Sequence, residues 1–459
     1  MNIENILKKK FNNSSDLIIH NIKKVQVIYL QSLCDANRIN DYILKNIGLV
    51  NNIKDIKQIL PGPNLKEITS KEINFYLYNG FTIVYFKKLY AIETKANLIR
   101  NVEKPTAETD IFGPKDSFNE SIQTNLGLIK RRIKTSNLIN DDFIIGRISK
   151  TNISLLYLKG ITDKNLVNKI EDKLINLDID SVIATGQLKQ CLGKENRTTL
   201  PTIMESERPD ITANALLEGK IVIIMDNSPF ALIMPTFFAD YINPLMDNYS
   251  KNINVNFLKI IRLICLFLTL IAPALYIAYV NYNQESIPLQ LLTSFAGQLK
   301  DVPFPTAMEA FFMLVTALIL RESDIRFPTS YGSSVSIVGA LVLGNAAVAA
   351  GLISPIMIII IAITFISSMI FTDNEMINSL RYYRFFWLVL ASVLGLYGLF
   401  LGIILFLIHI SGLEVLGKPY TYPMAPFDKI YLGKTLFRNT NKADNKRSKL
   451  LVKTNINKG

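Results

Sequence analysis

The chain has 459 residues, 49% of them hydrophobic, and a formal net charge of +12. Three widely separated cysteines and two histidines exclude a disulfide framework, a CxxC metal clip, a His-based zinc site and a His-dependent catalytic triad. The basic residues are scattered among Asn and Asp, apart from short clusters at 8–10, 130–132 and the C-terminal end, which suits charge held beside anionic lipid better than a nucleic-acid surface.

The first 17 residues contain no continuous apolar core and no small-residue cleavage site, so they do not read as a signal peptide. Up to about Ser250 the chain is polar with short apolar runs, and from Phe257 to about Ser411 it turns into long uncharged stretches. The composition therefore predicts a mixed α/β N-terminal region, reduced and on the cytoplasmic side, followed by an all-α polytopic membrane domain.

In chain order, "VQVIYLQSL" (25–33) reads as a strand and "DANRINDYILKNI" as a helix capped by Asp35. "NFYLYNGFTIVYF" gives two β-rich runs around Asn79-Gly80, a hairpin signal. Pro105 and Gly113-Pro114 mark a linker over 105–120, which divides two small subdomains, 1–104 and 121–250. In the second, "SIQTNLGLIKRRIKT" predicts an amphipathic helix and "DDFIIGRISKTNISLLYLKGI" two strands turning near Lys150-Thr151-Asn152. A helix capped by Thr162 or Asp163 follows, then a helix ended by Gly219 and two strands either side of Asp226-Asn227-Ser228-Pro229. Glu205, Glu207 and Asp210 have two readings: acid/base carboxylates, or acids at a helix N-terminus with Pro209 in the first turn. With no nucleophile, metal set or phosphate loop beside them, catalysis is not expected and no catalytic or metal-binding residue is assigned.

The membrane domain, 251–412, holds five apolar segments at about 257–280, 304–320, 335–352, 356–371 and 385–410, and a basic tail, 413–459, follows. Lys251, Lys259 and Arg262 place the N-terminal region inside, while five full spans would leave the basic tail outside. In the last segment Trp387 and Arg384 mark one interface and His409 the other.

The motifs "FGPKDSF", "TNLGLIKRRIKT", "LLYLKGI", "ERPDITANALLEGKIVIIMDNSPFALIMPTFF", "LRESDIRFP" and "VSIVGALVLGNAAVAAGLISP" occur in order and closely resemble the A subunit of bacterial spore germinant receptors of the GerA type, over about residues 20–440. The resemblance implies a spore inner-membrane protein with its N-terminal region toward the spore core. It also implies three partners: a permease-like B subunit that binds the nutrient, a C-subunit lipoprotein, and further copies of the chain in an oligomeric, nutrient-gated ion channel. No cofactor is implied.

On a helical projection of 336–351, Ser336, Gly339, Ala340, Gly344, Ala347 and Gly351 share one side, where small residues let helices approach closely in lipid. Val338, Leu341, Val342, Asn345 and Ala349 occupy the other. That side either packs on a neighbouring helix or lines a pore, with Asn345 as a polar ring and the apolar residues as a constriction. The family pattern commonly carries acids at the positions of Leu314, Leu318 and Ala349 and Gln at that of Asn345; this chain keeps only Glu309, as an ion-handling acid or as the cap of the helix after Pro305. Besides a channel, the pattern leaves open a non-conducting scaffold that transmits the signal and a secondary transporter, although no inverted repeat is visible.

Overall fold

The computed structural model describes residues 3–12, 14–49, 59–60, 65–96, 105, 108, 113–193, 198–326, 344–437, 447–448 and 450–452. Its polar half contains two five-stranded antiparallel sheets. The first is built from β1 (Leu17–Ile22), β2 (Val25–Leu30), β3 (Lys66–Ile68), β4 (Phe81–Phe86) and β5 (Lys88–Glu93) in the order β1-β2-β4-β5-β3. The second uses β6 (Leu138–Ile145), β7 (Thr151–Leu158), β8 (Met204–Ser206), β9 (Ile221–Met225) and β10 (Ala231–Met234) in the order β6-β7-β9-β10-β8. Counted from its own first strand, each sheet has the same order, and each is preceded by a helix, Ile3–Lys10 or Ile122–Arg132. The α/β half is thus one topology used twice.

Local chemistry explains most of the elements. Asp35 caps the helix from Ala36 by accepting the N–H groups of Asn37 and Arg38, and Asp163 caps Lys164–Ile175 through Asn165 N–H. Gly219, at φ +90°, ends Pro209–Leu217 as expected. The hairpin expected at Asn79-Gly80 lies elsewhere. Ile73–Tyr78 is helical, with Ile73, Leu77 and Tyr78 buried and Phe75 exposed, a spacing of 3.6 rather than 2. Gly80, at φ +82°, follows that helix, and the actual hairpin joins β4 to β5.

The two repeats meet across a polar surface. Asp16 accepts hydrogen bonds from Ser32 N–H and Oγ, both 2.8 Å, and pairs at 2.5 Å with Lys130 of the second repeat, all three residues being buried. Tyr78 Oη donates to the Thr135 carbonyl at 2.6 Å, and Ser15 bonds Asp142.

Among the described residues two helices are long and apolar enough to cross a membrane, Asn252–Asn281 and Asn374–Ser411. The second is not one rod. At Gly395 the backbone takes φ +60°, ψ −136°, and the chain reverses. A Cβ on Gly398 would meet the Leu390 carbonyl oxygen at 2.0 Å and one on Gly402 the Trp387 ring at 2.6 Å, while Tyr383 and Phe406 rings lie 4.8 Å apart. Glycine at 398 and 402 lets the two arms touch. His409 therefore returns to the level of Tyr383, which corrects the expectation that Arg384 and His409 mark opposite interfaces. The hairpin tip meets the far end of Asn252–Asn281, where Tyr282 Oη donates to the Ser392 carbonyl at 2.6 Å.

An amphipathic helix that sequence reading passed over, Leu289–Leu299, precedes Thr306–Arg326, and Pro355–Ser368 completes the described apolar helices. The C-terminal stretch is not simply a basic tail. Glu414–Val415 pairs with Lys418–Pro419, Tyr420 is fully buried, and Leu451 and Val452 enter the core of the second repeat beside Ile145, Ile153 and Ile223.

Candidate functional site

The acid retained in the apolar half occupies a built position. Glu309 is fully buried one turn into Thr306–Arg326. Its Oε2 accepts both the backbone N–H of Ser354, at 3.0 Å, and the Ser354 hydroxyl, at 2.9 Å. Ser354 is the N-cap of Pro355–Ser368, with Pro355 in its first turn. Glu309 thus caps a helix, but a different one from that expected, and it places an acidic side chain at that helix's positive end. Its Oε1 is buried without a hydrogen-bond partner among the described residues, and the Tyr276 side chain lies close to both Ser354 and Glu309.

The small-residue stretch leads directly into this clasp. Within the described residues it is helical over 344–349. Gly351 N–H donates to the Val348 carbonyl and Leu352 N–H to that of Ala347, with Gly351 at φ +66°, a Schellman ending. Gly351 therefore stops the helix rather than packing it. A Cβ on Gly344 would stand 4.0 Å from Ile358 Cδ1, so Gly344 faces the following helix, and Ala347 is half-buried. Asn345 and Ala349, four residues apart, are exposed on the other side. Ser336, Val338, Gly339, Ala340, Leu341 and Val342 lie outside the described residues.

A second polar zone joins the α/β half to the hairpin, and sequence reasoning missed it because its partners are far apart in the chain. Lys189 pairs with Glu375 at 2.5 Å and faces Glu205 at 3.9 Å. Thr198 Oγ1 lies 2.9 Å from His409 Nε2, Ser379 Oγ donates to the Thr199 carbonyl, and Phe238 N–H donates to that of Tyr420 at 3.1 Å. Burial pushes the Glu205 carboxyl up, with Lys189 opposing and the charges of Glu375 and Asp373 adding to it.

The acids of "MESERPD" do not converge. Glu205 looks toward the hairpin base, and Glu207 accepts the Glu108 N–H at 2.8 Å. Asp210 holds buried Arg208 through two hydrogen bonds, 3.0 and 2.7 Å, and accepts from Tyr249 Oη at 2.6 Å. Glu108 is itself pushed up to about 7, chiefly by burial and further by Glu207, against the hydrogen bond from Ser206 and the charge of Arg208. Among the described residues no group of three or more His, Cys, Asp or Glu side chains could hold a metal ion.

Residues 5–450 match the family described as Bacillus/Clostridium GerA spore germination protein. The chain belongs to the GerA family. It is 37% identical to spore germination protein KA of Bacillus subtilis (strain 168), covering 97% of this chain and 85% of that protein. It is 31% identical to spore germination protein GerLA of Bacillus cereus, covering 92% and 89%. Among solved structures, the N-terminal domain of the A subunit of the Bacillus megaterium spore germinant receptor GerK3 is 30% identical, covering 51% of this chain and 94% of that one, at a TM-score of 0.39. This GerA-family protein is therefore an A-type subunit of the spore germinant receptor family, with an α/β N-terminal part and a helical C-terminal part that includes two candidate membrane helices.

Proposed function

We propose that this subunit assembles as a homo-oligomer into a nutrient-gated ion channel of the spore inner membrane, with its α/β half toward the spore core. The observation that carries the reading is the clasp between Glu309 and Ser354. It anchors the end of the 344–349 helix on its small-residue side and leaves Asn345 and Ala349 uncovered, available to line a pore shared between copies. A permease-like B subunit would bind the nutrient and, with a C-subunit lipoprotein, bias a closed–open equilibrium.

The hairpin at Gly395 supports an even number of passes. Residues 374–394 and 396–411, at about 1.5 Å per residue, extend roughly 31 and 24 Å, each near the thickness of a hydrocarbon core. With 335–352 as one further pass, the chain crosses six times and its basic C-terminal end returns to the side of the α/β half, in accord with the positive-inside rule.

Passive ion leak in a heterologous bacterial membrane tests the reading. Once equal assembly is confirmed, Leu341→Ala/Val342→Ala should leak where the unchanged chain does not. An intact assembly that stays tight would favour the second reading, a non-conducting transducer, which the contacts of Lys189, Thr198 and Thr199 with the hairpin base also suit.

A further inference from the structure

The apolar half carries a second polar feature that ion conduction does not use. A small cavity between Thr306–Arg326, Pro355–Ser368 and the first arm of the Gly395 hairpin is lined by Arg321, Arg381, Arg384 and Ser368, with Leu318 and Phe365 as apolar walls. Arg384 is 6% exposed, and its Nε donates to the Thr269 carbonyl at 2.7 Å. Its two terminal nitrogens have no hydrogen bond among the described residues, and the side chain lines the cavity. Half-buried Arg381 makes no hydrogen bond or ion pair among the described residues; exposed Glu322 acts on it only at a distance. Arg321 donates to Asn374 Oδ1 at 3.2 Å, and this too is a neutral partner.

Three guanidinium groups thus share one pocket, close enough for their charges to act on one another, with no described carboxylate paired to any of them. Buried charge is costly unless it is paired, and like charges together raise that cost. The missing partner is an anion. Guanidinium forks present parallel N–H groups that match the oxygens of a phosphate, whereas a halide would leave most of those donors idle. The cavity as a whole has room for only about 10 Å³, roughly one water, so the anion sits at its mouth as the end of a larger molecule or as a small free ion.

The pocket's position selects among phosphates. Arg321 bonds Asn374, whose neighbour Glu375 pairs with Lys189 of the second repeat, so the pocket lies at the α/β-facing end of the helices. Side chains on a helix slant toward its N-terminus, so Arg381 and Arg384 lean toward that same end, where lipid headgroups lie. Basic pockets between membrane helices at this level suit anionic headgroups. We infer that Arg321, Arg381 and Arg384 form a phosphate-binding pocket filled by the headgroup of an anionic phospholipid. The inference depends on these helices lying in a membrane and is independent of ion conduction.

The test is the Tm of the full-length protein in neutral detergent, titrated with phosphatidylglycerol, phosphatidylcholine or inorganic phosphate. Phosphatidylglycerol should raise Tm saturably and phosphatidylcholine should not. R381Q, which removes no hydrogen bond among the described residues, should weaken the apparent affinity about tenfold, the worth of one charged hydrogen-bonded contact. Equal responses of the wild type and R381Q to phosphatidylglycerol, or equal effects of the two lipids, would overturn the site. A rise with inorganic phosphate that R381Q weakens, with no further gain from the lipid, would keep the phosphate chemistry and overturn its lipid source. R321Q, read the same way, decides the matter should R381Q fail to fold. The leak assay can fail while this site stands, and the reverse.

Discussion

The two α/β repeats share a strand order but differ in how they are held. The first repeat is attached to the second through hydrogen bonds and one buried ion pair, with the Phe11–Tyr78 ring contact nearby, and none of its described polar contacts reaches the apolar helices. The second is joined to the rest of the chain through apolar core, since Leu451, Val452 and Tyr422 are part of its interior. Polar attachment is directional and can be released by a competing partner or a change of charge. Shared apolar core cannot be released without unfolding. The second repeat is therefore tied to the C-terminal segment by shared core, and the first is held on the second by directional polar contacts.

The change with the largest expected effect breaks the polar side of this contrast. Asp16→Ala leaves Lys130 buried without its partner and should cost about 4 kcal/mol. Hydrogen exchange on the full chain should quicken around β1 and β2 and at 130–142, while β9 and β10 keep their protection. Faster exchange throughout would mean that the two repeats are one cooperative unit. Next, Leu451→Ala should cost about 3 kcal/mol, with exchange rising in β7, β9 and β10 and β1–β5 unchanged. An effect confined to residues 447–452 would show the C-terminal end to be a surface attachment.

The smallest effect concerns the connector. The Glu108 carboxyl is held near pH 7, above its ordinary value, so the folded chain keeps a proton that the unfolded chain has already released. Its contribution to stability is present below about pH 4.5 and is lost as pH rises through about 7. The change is on the order of 2 kcal/mol after allowance for partial exposure. E108Q should flatten that slope in a urea-melt series across pH 4–8, and an unchanged slope would assign the dependence to other acids, such as Glu205.

Much of this was legible from local chemistry. Caps at Asp35 and Asp163, the stop at Gly219 and the strands of the second repeat depend on residues within a few positions of one another. "NFYLYNG" was misjudged because its aromatic residues favour strands as well as buried helices, and only the burial of Ile73 and Leu77 separates the two. The repeat of topology left no matching motif to find. Glu309 was legible as an acid in an apolar segment, but its partner Ser354 is 45 positions away, and no local rule connects them. The reversal at Gly395 did leave a signal, glycines at 395, 398 and 402 inside one apolar run. Hydropathy registers length, not direction, and so counted one span.

The burial of Leu451 and Val452 also orders events during synthesis. The strands they pack against are complete by Met234, yet the ribosome must make roughly 220 more residues, the apolar helices among them, before these two core side chains exist. At about 5–20 residues per second, that interval is roughly 10–40 s. During it the apolar side chains that Leu451 and Val452 cover in the second repeat wait without those two partners, so this core closes late.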